Sequence, residues 1–241
     1  MTFKTFRSLF ATALLSSLIP ALAWAGSFTV APVRLELSPQ RPVSSLTITN
    51  DGAEPVSIDA RGMNWTQQNG ADEHEETREL IVTPPVFTLA PGASQIVRIG
   101  LRRAPDANNE IAYRVFMTEN PVVPRSVANG VAMNLRLSVP IFVRPRAAPQ
   151  PKLEWTGSRT PEGHLKLRAD NRGNMHVQVA NLSLSAAGTV VGRQTSPAYL
   201  LPGQYREWTV KPEEGRAFDA SSLTVTGYSD AGDVNAEFAV R

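Results

Sequence analysis

Three charged residues interrupt or end apolar segments of the chain, and they are the first positions at which side-chain chemistry is expected: Arg34, Glu119 and Arg144. Ordinary exposed or edge positions would account for all three. If they are partly buried instead, each needs a partner of opposite charge, because an unpaired charge in apolar surroundings is costly. The residues alone leave both interpretations open.

Catalytic and metal-binding patterns do not emerge from the remaining polar residues. The three histidines, His74, His164 and His176, lack the i, i+4 partner of a metal-binding helix. His74 lies in the charged stretch 72–79, which is more simply a solvated loop. The stretch 227–231 fails the nucleophile-elbow pattern because alanine replaces its second glycine. We therefore expect no enzymatic activity, no metal and no other cofactor.

Residues 1–25 have the features of a secretory signal peptide. Lys4 and Arg7 precede an apolar run that ends in Ala23-Trp24-Ala25, a pattern that signal peptidase cleaves before Gly26. A membrane anchor is the alternative, but the run is shorter than the roughly 20 apolar residues that a bilayer requires. We therefore expect a cleaved leader and a secreted protein without membrane insertion.

Composition narrows the class further. The leader carries two of the 24 basic residues, so the rest of the chain has 22 basic residues against 22 acidic ones. This balance gives no reason to expect a nucleic-acid partner. Cysteine is absent, which excludes disulfides and thiolate metal sites, so hydrophobic cores must stabilise the fold.

Short segments with alternating apolar and polar residues dominate the chain, as in β-strands with one buried face. They lie at 45–50, 56–60, 95–101, 112–117, 131–143, 165–169, 177–185, 206–210 and 223–228. Turn-forming Pro and Gly residues separate them at roughly the 8–12-residue spacing of a β-sandwich. We therefore predict an all-β fold.

A short proline-rich segment divides the strand-like series in two. Residues 146–151 read Arg-Ala-Ala-Pro-Gln-Pro, which is typical of a stiff connector between domains. Leu-Ala-Pro-Gly at 89–92 and Leu-Pro-Gly at 201–203 precede alternating segments in the two halves. We predict one domain over residues 26–146 and a second over residues 151–241.

Several stretches together resemble a known family. Residues 83–99 (TPPVFTLAPGASQIVRI) and 112–121 (AYRVFMTENP) resemble consecutive segments of the periplasmic pilus chaperones of the chaperone–usher pathway. Phe142-Val143-Arg144-Pro145 is similar to the end of that family's first domain. The resemblance runs in order from Phe28 to Pro145 and is looser afterwards.

The resemblance implies two immunoglobulin-like β-sandwiches in an L-shaped arrangement, located in the periplasm. Family members bind a pilus subunit that lacks its last strand, lend it a strand of their own by β-augmentation, and deliver it to an outer-membrane usher. The lent strand corresponds here to five alternating apolar residues: Val131, Met133, Leu135, Leu137 and Val139. An ordinary core strand is the alternative interpretation of this alternation.

The resemblance also implies a cationic anchor for the subunit's C-terminal carboxylate. The better-known family members use an arginine, which matches Arg34, and a lysine, whose position is occupied here by Pro140. Proline has neither charge nor a backbone donor, so Arg136 or Arg98 is the expected substitute. Together with the stretch Val-Arg-Leu-Glu-Leu-Ser-Pro at residues 33–39, this departure resembles the archaic, spore-coat-type branch.

Two further expectations follow from the resemblance. Arg144 is expected to form an interdomain salt bridge with Glu119 and Asp230, which would set the angle between the domains. Without a client, the exposed strand is expected to self-associate, or the loop 121–130 to stay unordered until binding. A structural pilin or adhesin, and an all-β hydrolase, are the alternatives from other classes.

Overall fold

The protein folds entirely as β-structure in the part described here. A computed structural model describes residues 28–121 and 134–241, and these contain eighteen β-strands and no helix. The predicted all-β fold is therefore confirmed. None of the described residues belongs to a helix long and apolar enough to cross a membrane. The expected signal peptide lies outside the described residues.

The first ten strands form two sheets that pack face to face. Their bounds are β1 (Thr29–Ala31), β2 (Leu35–Leu37), β3 (Val43–Thr49), β4 (Val56–Gln68), β5 (Ala71–Glu76), β6 (Leu80–Thr83), β7 (Val86–Leu89), β8 (Ser94–Leu101), β9 (Ile111–Pro121) and β10 (Arg136–Val143). Sheet A has the order β1-β3-β8-β6. Sheet B has the order β2-β10-β9-β4-β5, with β7 also pairing with β4.

Alternation along each strand produces the core between sheets A and B. In β8, Val97 and Ile99 are fully buried, whereas Ile96 and Arg98 face solvent on the opposite side. In β9, Tyr113 and its alternate neighbours through Met117 are fully buried in the same core. Successive side chains of a strand point to opposite faces, so each segment places one set inside and the other outside.

The second half of the chain repeats this architecture. Its strands are β11 (Leu153–Arg159), β12 (Leu165–Asn171), β13 (Val177–Ala186), β14 (Thr189–Gln194), β15 (Ala198–Leu200), β16 (Tyr205–Val210), β17 (Ser222–Ser229) and β18 (Gly232–Ala239). They form one sheet in the order β11-β12-β16 and another in the order β14-β13-β17-β18, with β15 beside β13. A separate core lies between them.

A buried asparagine marks the same corner in both halves. Asn50 donates from its side-chain amide to the backbone carbonyls of Glu54 and Leu89, and its backbone carbonyl accepts from Gly92 N–H. Asn171 does the same with Met175, Leu200 and Gly203. Gly92 and Gly203 both have φ of 73°, a left-handed conformation that glycine adopts without strain. The two Pro-Gly matches in the sequence therefore reflect one repeated structural motif.

Candidate functional site

β10 has two different neighbours along its length. β9 pairs with it in antiparallel fashion throughout, from Arg136 opposite Thr118 to Val143 opposite Ile111. β2 pairs with it in parallel fashion only from Ile141 to Val143. Within the described part of the chain, residues 136–139 therefore have a partner strand on one side alone. We call this unpaired side of residues 136–139 the open edge.

Pro140 explains where the pairing with β2 stops. The Leu135 carbonyl accepts from Glu119 N–H of β9, and Arg144 N–H donates to the Leu37 carbonyl on the other side. Backbone groups alternate in direction along a strand, so the N–H and C=O groups of the even-numbered residues of β10 point away from β9. Pro140 has no N–H to donate there, so the pairing with β2 does not continue past it. Ser138 and Arg136 consequently present their backbone groups at the open edge.

The apolar residues of β10 face the core of the first domain. Val139 is 3% exposed and belongs to that core, so its assignment to the lent strand is wrong. It is an odd-numbered residue, and the odd-numbered side chains point between the sheets. Leu135 and Leu137 are half-buried against the same core and remain predictions. Val131 and Met133, with the loop 122–130, lie outside the described residues.

Arg114 is the cation beside Pro140, since the two residues are register partners on β9 and β10. Its guanidinium carbon lies 3.9 Å from the centroid of the Trp65 ring, and Nη1 donates to Ser138 Oγ at 3.2 Å. Nε is buried without a hydrogen-bond partner. Burial lowers the pKa of Arg114, and the Asp72 carboxylate partly offsets this. Arg114 forms no ion pair with any described carboxylate, so it is available to bind an anion.

The three arginines predicted as anchors lie in three different places. Arg98 projects from the outer face of sheet A, across the domain from Arg114, because it alternates with the buried Val97 and Ile99; its assignment is wrong. Arg136 lies on the outer face of sheet B, as Arg114 does, and stacks on Phe116. Arg34 lies at the domain junction.

Arg34 belongs to a chain of alternating charges that crosses the domain junction. Its Nη1 donates to Asp230 Oδ2 at 2.8 Å, and its Nη2 lies 3.8 Å from Glu36. Glu36 also binds Arg144, whose Nε donates to Oε2 at 3.0 Å. Asp230 in turn contacts His176. The predicted pairing of Arg144 with Asp230 is therefore corrected: Glu36 and Arg34 lie between them.

Glu119 takes no part in this chain of charges. Thr118 lies opposite Arg136, and Ile111 lies opposite Val143, so Glu119 and Arg144 are at opposite ends of the β9–β10 pair. At about 3.3 Å per residue their separation is on the order of 25 Å. Glu119 accepts a hydrogen bond from Leu135 N–H at 3.2 Å instead. The glutamate at the junction is Glu110, which precedes β9.

His176, in the second domain, contacts the first domain through one ring nitrogen and an aspartate of its own domain through the other. Nδ1 lies 2.6 Å from Glu110 Oε1 of the first domain, and Nε2 lies 3.1 Å from Asp230 Oδ2 of the second. Burial alone would lower the pKa of His176, but the hydrogen bonds to Asp230 and Glu110 outweigh it and raise the pKa. A neutral imidazole can donate from one nitrogen only. Hydrogen-bonding to a carboxylate at each nitrogen therefore favours the imidazolium, in agreement with the raised pKa of His176.

An aromatic cluster packs beside this polar chain and joins the domains. Phe142 is fully buried and stacks on His176 with ring centroids 3.4 Å apart and an angle of 8° between the planes. Trp65 contacts Phe142 from the same sheet and Tyr199 from the second domain. Leu201 completes the cluster, and its N–H donates to Gln67 Oε1 at 2.9 Å. The outer face of sheet B is thus covered by the second domain at one end and continues past Arg114 towards Arg136.

Sequence reasoning missed the cation beside the open edge and most of the junction. Arg114 was visible only as a charge within a strand, and its position opposite Pro140 depends on the strand register across residues 122–133. His176 and Glu110 offered no local pattern. Among the residues described, no group of three or more His, Asp or Glu side chains is arranged to hold a metal ion.

Comparison with known families matches the first domain. Residues 27–149 match the family model of the pili and flagellar-assembly chaperone PapD N-terminal domain. This match covers more than half of the chain. No curated protein matches the chain by sequence.

Solved structures share the two-domain fold. The structure of the CsuC–CsuE chaperone–tip adhesion subunit complex, from archaic chaperone–usher Csu pili of Acinetobacter baumannii, matches with a TM-score of 0.69 and 18% identity. That match covers 90% of this chain and all of the other. The CupB2 chaperone of Pseudomonas aeruginosa matches with a TM-score of 0.58 and 20% identity, over 88% of this chain and 100% of the other. The chaperone DraB of E. coli matches with a TM-score of 0.58 and 20% identity, over 89% of this chain and 98% of the other. Together with the strand order, these matches confirm two immunoglobulin-like sandwiches.

Proposed function

The chain belongs to the pili and flagellar-assembly chaperone family, and on that premise we propose that it binds pilus subunits at the open edge of β10 and delivers them to an outer-membrane usher. It is a chaperone and not an enzyme. The observation that carries the binding mode is the open edge, residues 136–139, where backbone donors and acceptors lack a described partner strand. Such an edge binds an additional strand through main-chain hydrogen bonds.

The position of the cations supports a defined orientation for the added strand. Arg114 lies beside Pro140, at the end of the open edge where β2 begins to pair. A C-terminal carboxylate bound there must belong to a strand that runs towards β2, and therefore parallel to β10. A charge-assisted hydrogen bond from a half-buried guanidinium is stronger than one between neutral groups. Arg114 thereby sets the register, which main-chain pairing alone leaves free to slip by two residues.

Arg34 supports the binding site indirectly in this proposal. Its guanidinium is engaged by Asp230, so a second carboxylate must compete for it or share it. Both arginines act on the nearby Tyr199 hydroxyl: burial raises the pKa of Tyr199, and the charges of Arg34 and Arg114 both oppose that rise. We assign the primary contact with the carboxylate to Arg114, with Arg34 holding the domain junction.

The remaining assignments are proposals on the same premise. We place the protein in the periplasm with a cleaved leader over residues 1–25, and we divide the mature chain at residues 146–151. Leu135 and Leu137, with Val131 and Met133, are proposed to enter the subunit's groove. The chaperone CsuC is described as part of an archaic pathway, and this fold match and Pro140 favour the archaic branch here. A client-free molecule is proposed to self-associate through the same open edge.

A proline substitution tests the open edge directly. Ser138→Pro removes one N–H that faces the edge, whereas Ser138→Ala keeps that N–H and removes the same hydroxyl. Both variants and the wild type are expressed in the periplasm with the cognate subunit, and the recovered complex is measured alongside the melting temperature of the chaperone. We expect Ser138→Pro to lose the complex while remaining folded, and Ser138→Ala to retain it. Equal recovery from a folded Ser138→Pro would contradict binding by strand addition.

A further inference from the structure

A second guanidinium lies on the outer face of sheet B, further along β10 than Arg114. The Arg136 guanidinium carbon is 4.3 Å from the centroid of the Phe116 ring. His74 meets the same ring edge-on, with centroids 5.2 Å apart. Arg136 is exposed, and among the described residues no carboxylate lies within ion-pairing distance of it. The Phe116 ring therefore positions a charge that has no anion of its own.

The carboxylates near Arg136 on this face are already paired. Asp59 and Arg136 are both register partners of Thr118, on opposite sides of β9. Asp59 accepts a hydrogen bond from Arg61 at 3.0 Å. Asp72 pairs with Arg206. Burial lowers the pKa of His74, and the charges of Arg114 and Arg136 lower it further, while Asp72 opposes them. These pairings leave the Arg136 guanidinium, stacked on Phe116, without a described counter-ion, so it can accept an added anion.

The added strand passes directly beside Arg136. Continuing the register of β2, in which Leu35 lies opposite Ile141, places its path along residues 136–139 of β10. If its terminal carboxylate lies at Arg114, its last residue lies beside Ser138 or Val139. The residue beside Arg136 is then two or three positions earlier in the strand. Paired residues of neighbouring strands project to the same face, so that residue's side chain lies next to the Arg136 guanidinium.

We propose that Arg136, held by Phe116, is a second anion subsite that binds an acidic side chain two or three positions before the C-terminal residue of the client strand. This inference rests on the proposed function, since it takes the client strand to lie at the open edge with its carboxylate at Arg114. A planar guanidinium stacked on a ring keeps its N–H donors free at the rim for a carboxylate. Arg136 thus determines which subunits bind, while Arg114 recognises the terminus that they share.

Labelled peptides measure this selectivity on the full mature chain. The probes are twelve-residue peptides of alternating valine and threonine with two N-terminal lysines, a free C terminus, and one glutamate or glutamine at each of the last five positions. Binding is followed by fluorescence anisotropy. For the wild type we expect glutamate to bind about tenfold more tightly than glutamine at one position, two or three before the end, corresponding to one charge-assisted contact. The immediately neighbouring positions should show no preference, because their side chains face the other way.

Matched variants separate the two anion contacts. Arg136→Gln should remove the preference for glutamate while the glutamine peptide binds as before, and Arg98→Gln on sheet A should change neither. Arg114→Gln should weaken both peptides equally. A glutamate preference that survives Arg136→Gln, or that is equal at adjacent positions, would overturn the subsite and leave the proposed function intact. Failure of every peptide to bind the wild type, or equal binding of C-terminally amidated peptides, would instead contradict the proposed function and this inference with it.

Discussion

Arg114 on β9 lies directly opposite Pro140 on β10. In the better-known members of the family that the sequence resembles, the residue at the position of Pro140 is a lysine that binds a carboxylate. Here the charge comes from the neighbouring strand, and proline takes the edge position. Under the proposed function the exchange separates two tasks: Pro140 ends the pairing with β2, and Arg114 provides the cation.

Arg114→Gln is expected to remove the recognition of a free C terminus. The loss of a charged hydrogen bond should cost about 1.5–3 kcal/mol, or roughly 10- to 150-fold in Kd. The measurement compares the same strand peptide with a C-terminal carboxylate and with an amide. The wild type should prefer the carboxylate, and the variant should bind both alike. Retained preference in Arg114→Gln would assign the anchor to another cation.

The stability of the domain junction is expected to fall on both sides of a pH optimum. His176 has a raised pKa in the folded protein, so its contribution is fully present below the ordinary value of 6.5 and is lost as the pH rises through the folded value. Asp230 has a pKa lowered, against its burial, by hydrogen bonds from His176 and Gln178 N–H. Its contribution is present above the ordinary value of 3.8 and is lost as the pH falls through the folded value.

Thermal melting from pH 2 to pH 10 measures this dependence on both sides of the optimum. The charged or titratable groups that face His176 are Glu110, Asp230 and Tyr199, with Arg34 beyond Asp230. In His176→Gln the decline in melting temperature above neutral pH should disappear. A variant that keeps the same decline would show that another group causes it.

Arg34 and Asp230 should be energetically coupled in the chaperone without any client. Their side chains are 36% and 18% exposed, so solvent screening limits the coupling to about 0.5–1 kcal/mol. Arg34→Gln, Asp230→Asn and the double variant form the thermodynamic cycle, measured by urea denaturation. Additive effects would mean that the ion pair makes no net contribution to holding the domains. Arg34→Ala is accordingly expected to lower stability, unlike a residue that only contacts the client.

The two buried corner asparagines should be equally important for their own domains. Asn50 is fully buried and Asn171 is 1% exposed, so removing either amide leaves two carbonyls without donors. We expect Asn50→Ala and Asn171→Ala each to destabilise the protein by about 3 kcal/mol. Asn109→Ala, at an exposed position, is the control and should change stability by less than about 0.5 kcal/mol. A small effect at one asparagine only would show that the two corners are not equivalent.

The all-β class could be predicted because alternation is a local property of each segment. The same local signal failed at Val139, since alternation does not say whether the apolar face meets the molecule's own core or a partner. The predicted contacts of Arg144 at the domain junction failed for a different reason. Glu119 was chosen by its place in a motif, whereas contact with Arg144 depends on which end of β9 meets that end of β10. Asp230 was correctly associated with the junction, but its partners Arg34 and His176 come from segments far apart in the chain.

Neighbouring positions on β10 are expected to be under different selective constraints. Substitutions at Val139 and Ile141 alter the core of the first domain, so we expect them to be removed through loss of folding. Substitutions at Arg136 and Ser138 alter only the outer face, so they can accumulate as the subunits of the pilus diverge. Among close relatives, sequence variation along this strand should therefore alternate with a period of two. The alternation should end at Pro140, beyond which the strand also pairs with β2.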